Sequence, residues 1–107
     1  IGARNTSLWA YDLENDANDR FVEGFQAAYD RMPTLYAAQG YDTANLILSA
    51  LETAHPDDKD AFREALRAAD FDSVRGEFRF GPNHHPIQDI YVREVVEGDD
   101  GEPTNRL

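Results

Sequence analysis

His84-His85, with His55 elsewhere in the chain, is the first pattern that could do chemistry, because imidazole is the commonest seed of a metal centre. Zinc needs three or four convergent ligands, however, and adjacent histidines on a strand point to opposite faces. Flanked by Asn83 and Pro86, the pair reads instead as an exposed turn. Asp57, Asp58 and Asp60 could hold a cation, yet they lack the alternating oxygen ligands, turn glycine and terminal glutamate of a calcium loop. Acids at a helix start are explained by capping and by the positive end of the helix dipole. Ser7, Ser49 and Ser73 sit in no glycine-framed elbow, and the chain has no cysteine. Its seven glycines are dispersed and frame no phosphate-cradling loop. These residues specify no enzyme, and no metal or cofactor is expected.

Two aromatics remain. Tyr36 follows the bend at Pro33, at the start of an apolar helix, and Trp9 lies in an extended opening segment. For each, ordinary core packing and a stacking wall for a small ligand are both open readings.

The elements that must carry these residues follow from periodicity. Phe21, Phe25, Tyr29 and Met32 recur at spacings of four, four and three, which predicts one face of a helix capped by Asn15 or Asp16 and ended by Pro33. Thr34 caps a second helix running to about Ala54, with Ala37, Tyr41, Ala44, Leu48 and Leu51 in one stripe and Leu46, Ile47 and Ala50 widening it. So broad an apolar surface predicts deep burial, and Gly40 inside the helix predicts a close approach to its backbone. Asp57 or Asp58 caps a third helix, with Phe62, Ala65, Leu66 and Ala69 on its face. The rhythm then changes to two. Phe78 and Phe80 alternate with charged residues, residues 88–96 form the best strand, and Asp99-Asp100-Gly101 turns into a return strand over Glu102–Arg106.

Composition narrows the partners. With 21 Asp and Glu against 10 Lys and Arg, the 107 residues carry a formal charge of −11. Such a surface repels phosphate backbones, so no nucleic-acid partner is expected, and anionic membrane surfaces are disfavoured for the same reason. No apolar run is long enough to span a bilayer. Twelve aromatics are too many for a disordered acidic tail. The chain opens Ile1-Gly2-Ala3 with no initiator Met and reads as a processed product or a piece of something longer. The second helix supports that reading, since it offers more apolar surface than two amphipathic helices and a few strands can cover.

The order of residues resembles one family. Leu35-Tyr36-Ala37-Ala38-Gln39-Gly40-Tyr41-Asp42-Thr43-Ala44 is similar to the helix signature near the end of type I periplasmic solute-binding proteins, the receptors of ABC importers of the branched-chain amino-acid class. Phe71-Asp72-Ser73-Val74-Arg75-Gly76-Glu77-Phe78-Arg79-Phe80 resembles the same family's helix end, turn and strand. Residues 81–91, followed by Arg93-Glu94-Val95-Val96, resemble the closing strand of the subgroup associated with aromatic acids, and Trp9–Asn18 also fits.

The resemblance implies an α/β fold: the C-terminal fragment of a two-lobed periplasmic-binding-protein type I fold, built as a strand, three helices and a terminal β-hairpin. It implies a crossing strand in residues 1–10, helices of one lobe in 16–70, strands including the return crossing in 74–96, and a hairpin turn with return strand in 97–107. Tyr36 stands where family members place an aromatic facing the ligand, with Gln39 and Trp9 as further ligand-binding candidates. The implied partners are a small solute, either an amino acid or an aromatic acid, and a membrane ABC permease. The implied location is the periplasm, with any export signal lying upstream. The isolated piece is expected to self-associate. Two other classes fit the same residues: a ligand-sensing regulator that reuses this fold, and an acidic interaction domain that self-associates through its apolar helix.

Overall fold

A computed structural model describes residues 1–107 as β1 (Arg4–Ser7), α1 (Asp16–Tyr29), α2 (Leu35–Thr53), α3 (Lys59–Ala68), β2 (Phe78–Phe80), β3 (Pro86–Gln88), β4 (Tyr91–Glu97) and β5 (Pro103–Arg106). Each helix begins where a side-chain oxygen satisfies an otherwise unpaired amide. Asn15 accepts the N–H of Asn18 at 2.8 Å, Thr34 that of Ala37 at 3.3 Å, and Asp58 that of Ala61 at 3.1 Å. Helix α1 stops at Tyr29 because Asp30 turns left-handed, with φ of 50°, while its N–H still bonds Gln26. Met32, expected on the α1 face, therefore lies beyond the helix.

The strands form two sheets. β4 is central in an antiparallel sheet of order β1-β4-β5, with Arg4 opposite Glu94, Thr6 opposite Val92 and Val95 opposite Asn105. β2 and β3 make a separate hairpin in which Arg79 faces Ile87. The single strand expected over residues 88–96 is thus divided: Gln88 ends β3, Asp89-Ile90 breaks the ladder, and Tyr91 opens β4 in the other sheet. Pro86 carries no N–H and sits in the short two-stranded hairpin, where no further strand asks for that donor.

The core is small and lies to one side. Trp9, Ala10, Leu13, Ala17, Phe21, Ala38 and Val74 form it, so it gathers the β1–α1 loop, α1, one small face of α2 and the segment before β2. Trp9 meets Phe21 edge-on at 6.0 Å, and Phe21 leans on Tyr41 at 4.8 Å. Only 14 of 107 residues are buried, and the molecule is an elongated body of 51 × 30 × 19 Å.

Helix α2 departs most from expectation. It buries Ala38, Asp42 and Ala50, while Ile47, Leu48 and Leu51 of its apolar surface are exposed. Within this chain the deep burial does not occur, because no element lies on that face. Gly40 likewise has open space where a Cβ would stand, so no backbone approach accounts for it here.

Candidate functional site

The start of α2 is fixed by Pro33 and the Thr34 cap, and this places Tyr36 in the first helical turn. Its ring is 80% exposed and makes no side-chain hydrogen bond. Gln39 follows three residues on, on the neighbouring side of the cylinder, and is half-buried. The structure therefore brings these two candidates together on one end of one helix.

Trp9 is placed differently. It is 3% exposed, packed against Phe21, and its indole N–H donates to Asn18 Oδ1 at 2.7 Å. Leu35, Ala37 and Ala38 flank Tyr36 and Gln39 in sequence and pack on or within the cluster that contains Trp9. The indole thus lies in the core beneath the first turns of α2, whereas Tyr36 stands on open surface.

Below this surface lies a polar knot that no chemical motif signals. The Asp42 carboxylate, 1% exposed, accepts the Ser73 hydroxyl at 2.5 Å, the Val74 N–H at 3.0 Å and the Arg75 Nε–H at 3.1 Å. Arg75 also donates to Gln88 Oε1 at 3.2 Å and lies over the Phe78 ring at 5.1 Å. Its backbone oxygen accepts the Tyr91 hydroxyl at 2.8 Å, and Asn15 caps the Val74 carbonyl at 3.2 Å. Burial of its phenol and the nearby Asp89 carboxylate raise the Tyr91 pKa above the ordinary 10.0. Every donor aimed at Asp42 belongs to one three-residue run, Ser73-Val74-Arg75. The available sequence signal was an acid on a face otherwise made of small residues, one turn after Ala38 and two before Ala50.

The remaining chemistry-bearing residues stay apart. His84, with φ of 63°, and His85 lie exposed in the β2–β3 turn, while His55 sits beside Asp57 after α2. No three His, Asp or Glu side chains gather to hold a metal ion. A surface groove of about 810 Å³ runs between the start of α1 and the β2–β3 hairpin, past Asn15, Arg20, Asp72, Glu77 and Gln88. It is lined by charges of both signs and includes none of Tyr36, Gln39 and Trp9. Geometrically, then, the α2 surface that carries Tyr36 and Gln39 is open and encloses no cavity of its own.

Along nearly its whole length the chain is similar to known proteins. Residues 2–102 match the family model described as periplasmic binding protein. The chain is 31% identical over 111 aligned residues to a Leu/Ile/Val-binding protein homologue of Brucella abortus, covering 99% of this chain and 28% of that protein. Among solved structures, it superposes with a TM-score of 0.85 and 31% identity on the solute-binding protein of an R. palustris ABC transporter in complex with benzoate, over 97% of this chain and 29% of that one. An ABC transporter substrate-binding protein of Desulfitobacterium hafniense in complex with Leu gives 0.82 and 27%, over 98% of this chain and 31% of that one. The chain thus spans less than a third of the length of these relatives.

Proposed function

This chain belongs to the periplasmic binding protein family, and we propose that it is the C-terminal part of a receptor that captures a small carboxylate for an ABC importer. The single observation that carries the reading is the superposition along nearly the whole chain, at a TM-score of 0.85, on a benzoate-bound solute-binding protein. The family is one of receptors, not enzymes. The ligand class we favour is an aromatic acid or an amino acid, since the related proteins are complexes with benzoate and with Leu.

In this reading Tyr36 supplies a flat apolar face on which a ligand stacks, and Gln39 supplies a neutral amide able to donate or accept. Trp9 supports that wall from the core. β1 and β4 serve as the crossing segments between lobes. They are short, adjacent and antiparallel, with Arg4–Ser7 paired to Tyr91–Glu94, so a small change in strand twist swings one lobe against the other. Ligand that touches both lobes only in the closed form shifts the open–closed equilibrium by its differential affinity. A membrane permease then reads closure. No covalent bond changes, so the cycle calls for no cofactor. Such a receptor works in the periplasm, and the rest of its N-terminal lobe covers the apolar face of α2. Residues 1–107 alone cover that face with a second copy.

The test is calorimetry on the full-length protein with benzoate, other aromatic acids and L-leucine, paired with small-angle scattering. Saturable binding with a more compact particle is expected. Absence of binding to every member of this panel overturns the reading.

A further inference from the structure

We infer that Asp42 is the positioning residue of the ligand-facing end of α2, acting through Ser73, Val74 and Arg75; the inference rests on the site proposed above. Apolar contacts on this half of α2 come from the half-buried Leu35 and Ala37 and from Tyr41 against Phe21, and of the helix's 19 residues only Ala38, Asp42 and Ala50 are buried in the chain. Two of these are alanines. Their packing is short-ranged and non-directional, and it permits a helix to roll about its axis. A carboxylate with three donors at 2.5–3.1 Å permits no such roll, since its oxygens must stay in the plane and reach of fixed partners.

Two of the three donors are ordered by their own context. The Val74 amide is backbone, with its carbonyl held by Asn15, and Val74 itself is fully buried. Arg75 is held by Gln88 Oε1, by the Phe78 ring and, through its carbonyl, by the Tyr91 hydroxyl. Asp42 therefore keys α2 to α1, to the β2–β3 hairpin and to the first residue of β4. Gln39 lies less than one turn upstream of this key and Tyr36 less than two. An α-helix is stiff over that distance, so rotation fixed at residue 42 is rotation fixed at 36 and 39. Binding groups must be held to within roughly 0.5 Å of productive geometry. Only the buried carboxylate provides a directional restraint of that kind on this half of α2.

The experiment uses the full-length protein and the variants Asp42→Asn, Ser73→Ala, Tyr36→Ala and Asp42→Asn/Tyr36→Ala, titrated with benzoate and L-leucine well below their unfolding temperatures. There a loss of global stability alone leaves Kd unchanged. Asp42→Asn weakens binding by roughly 2- to 30-fold, the span for changes along a coupling network, and its effect is largely absent in the Tyr36→Ala background. Ser73→Ala, which keeps the Arg75 pair and folds if Asp42→Asn does not, weakens binding in the same way by a smaller factor. Amide hydrogen exchange without ligand gives an independent arm: the bonded amides of residues 37–42 exchange faster in both variants, while the β1-β4-β5 amides do not. Wild-type affinity in Asp42→Asn and Ser73→Ala, with Tyr36→Ala still weakened, overturns the positioning role alone. Additive effects of Asp42 and Tyr36 do the same, as does unchanged exchange at residues 37–42. Tyr36→Ala at wild-type affinity instead overturns the site and the inference together. If neither probe binds the parent protein, the receptor reading fails and the exchange arm alone decides the positioning role.

Discussion

Asn18, with no exposed surface, accepts the indole N–H of Trp9 at 2.7 Å and returns its own amide hydrogens to the carbonyls of Tyr11 and Leu13 at 2.9 and 3.0 Å. A single side chain in the first turn of α1 thereby fixes the whole loop that links β1 to that helix. All three polar partners are buried or half-buried, so water cannot replace them at little cost.

Asn18→Leu retains the volume but leaves the indole N–H and the Tyr11 carbonyl without partners, while the Leu13 carbonyl keeps only the Asn15 N–H at 3.2 Å. Each buried polar group so stranded costs about 1–3 kcal/mol, and relaxation of the loop recovers part of that. The variant is expected to lose about 2–4 kcal/mol of stability, read from denaturant unfolding of the full-length protein. Trp9→Phe strands the Asn18 oxygen and also removes buried ring volume beside Phe21, so it too is expected to be destabilising. Equal stability of Asn18→Leu and the parent protein would remove the network from the account of this loop.

Tyr36→Ala separates binding from folding. Because the ring is 80% exposed, the substitution should leave the unfolding midpoint nearly unchanged. If the ring stacks on ligand, affinity falls by about 1–3 kcal/mol. Calorimetry and thermal unfolding of the same preparation check both halves, and unaltered affinity excludes Tyr36 from the site.

Tyr91 gives a pH dependence with a definite sign. Its folded-state pKa is raised above 10.0, first by desolvation and then by Asp89. The folded protein therefore holds the phenolic proton more tightly than the unfolded chain does. The resulting stability is fully present below the ordinary tyrosine pKa and is lost as pH rises through the higher folded value. Stability should fall more steeply above a pH of about 10 in the parent than in Tyr91→Phe. Parallel pH–stability curves for the two proteins would contradict this.

Two glycines inside helices are open to improvement. A Cβ at Gly24 or Gly40 meets nothing within 4 Å, and neither glycine has a positive φ. Gly24→Ala and Gly40→Ala should each stabilise the chain by about 0.5–1 kcal/mol through lower backbone entropy in the unfolded state. A destabilised Gly40→Ala in the full-length protein, with Gly24→Ala stabilised, would reveal a neighbour that approaches α2 only there.

Residues 1–107 expressed alone should self-associate. Leu48 is 58% exposed, Leu51 46% and Ile47 42%, all on one helix, and a contiguous apolar face of this kind is normally covered. Size-exclusion chromatography with light scattering should return a dimer or larger species, and Leu48→Asp/Leu51→Asp should weaken it. A clean monomer of the unmodified chain sinks the proposal.

Local chemistry made much of this fold legible. Asn15, Thr34 and Asp58 cap helices because their short oxygens reach an amide three residues on, and that geometry needs no distant partner. The alternation around Phe78 and Phe80 and the turn at residues 99–101 are equally local. Met32 falls outside the helix because apolar periodicity continues past the point where Asp30 turns left-handed. The split of residues 88–96 between two sheets could not be read, since one apolar run gives no sign of which neighbour each half pairs with.

The candidate site divides along the same line. By itself the sequence determined the helix that bears Tyr36 and Gln39, the cap that starts it, the acidic surface and a family resemblance spread along the whole chain. Tertiary structure alone decided that Trp9 is spent on Asn18, that Tyr36 is free, and that Asp42 meets Ser73, Val74 and Arg75 more than thirty residues away. Caps and periodicity act within a turn or two of backbone. The partner of a buried charge is set by how distant segments pack, and residue order along a single chain does not encode that in any short pattern.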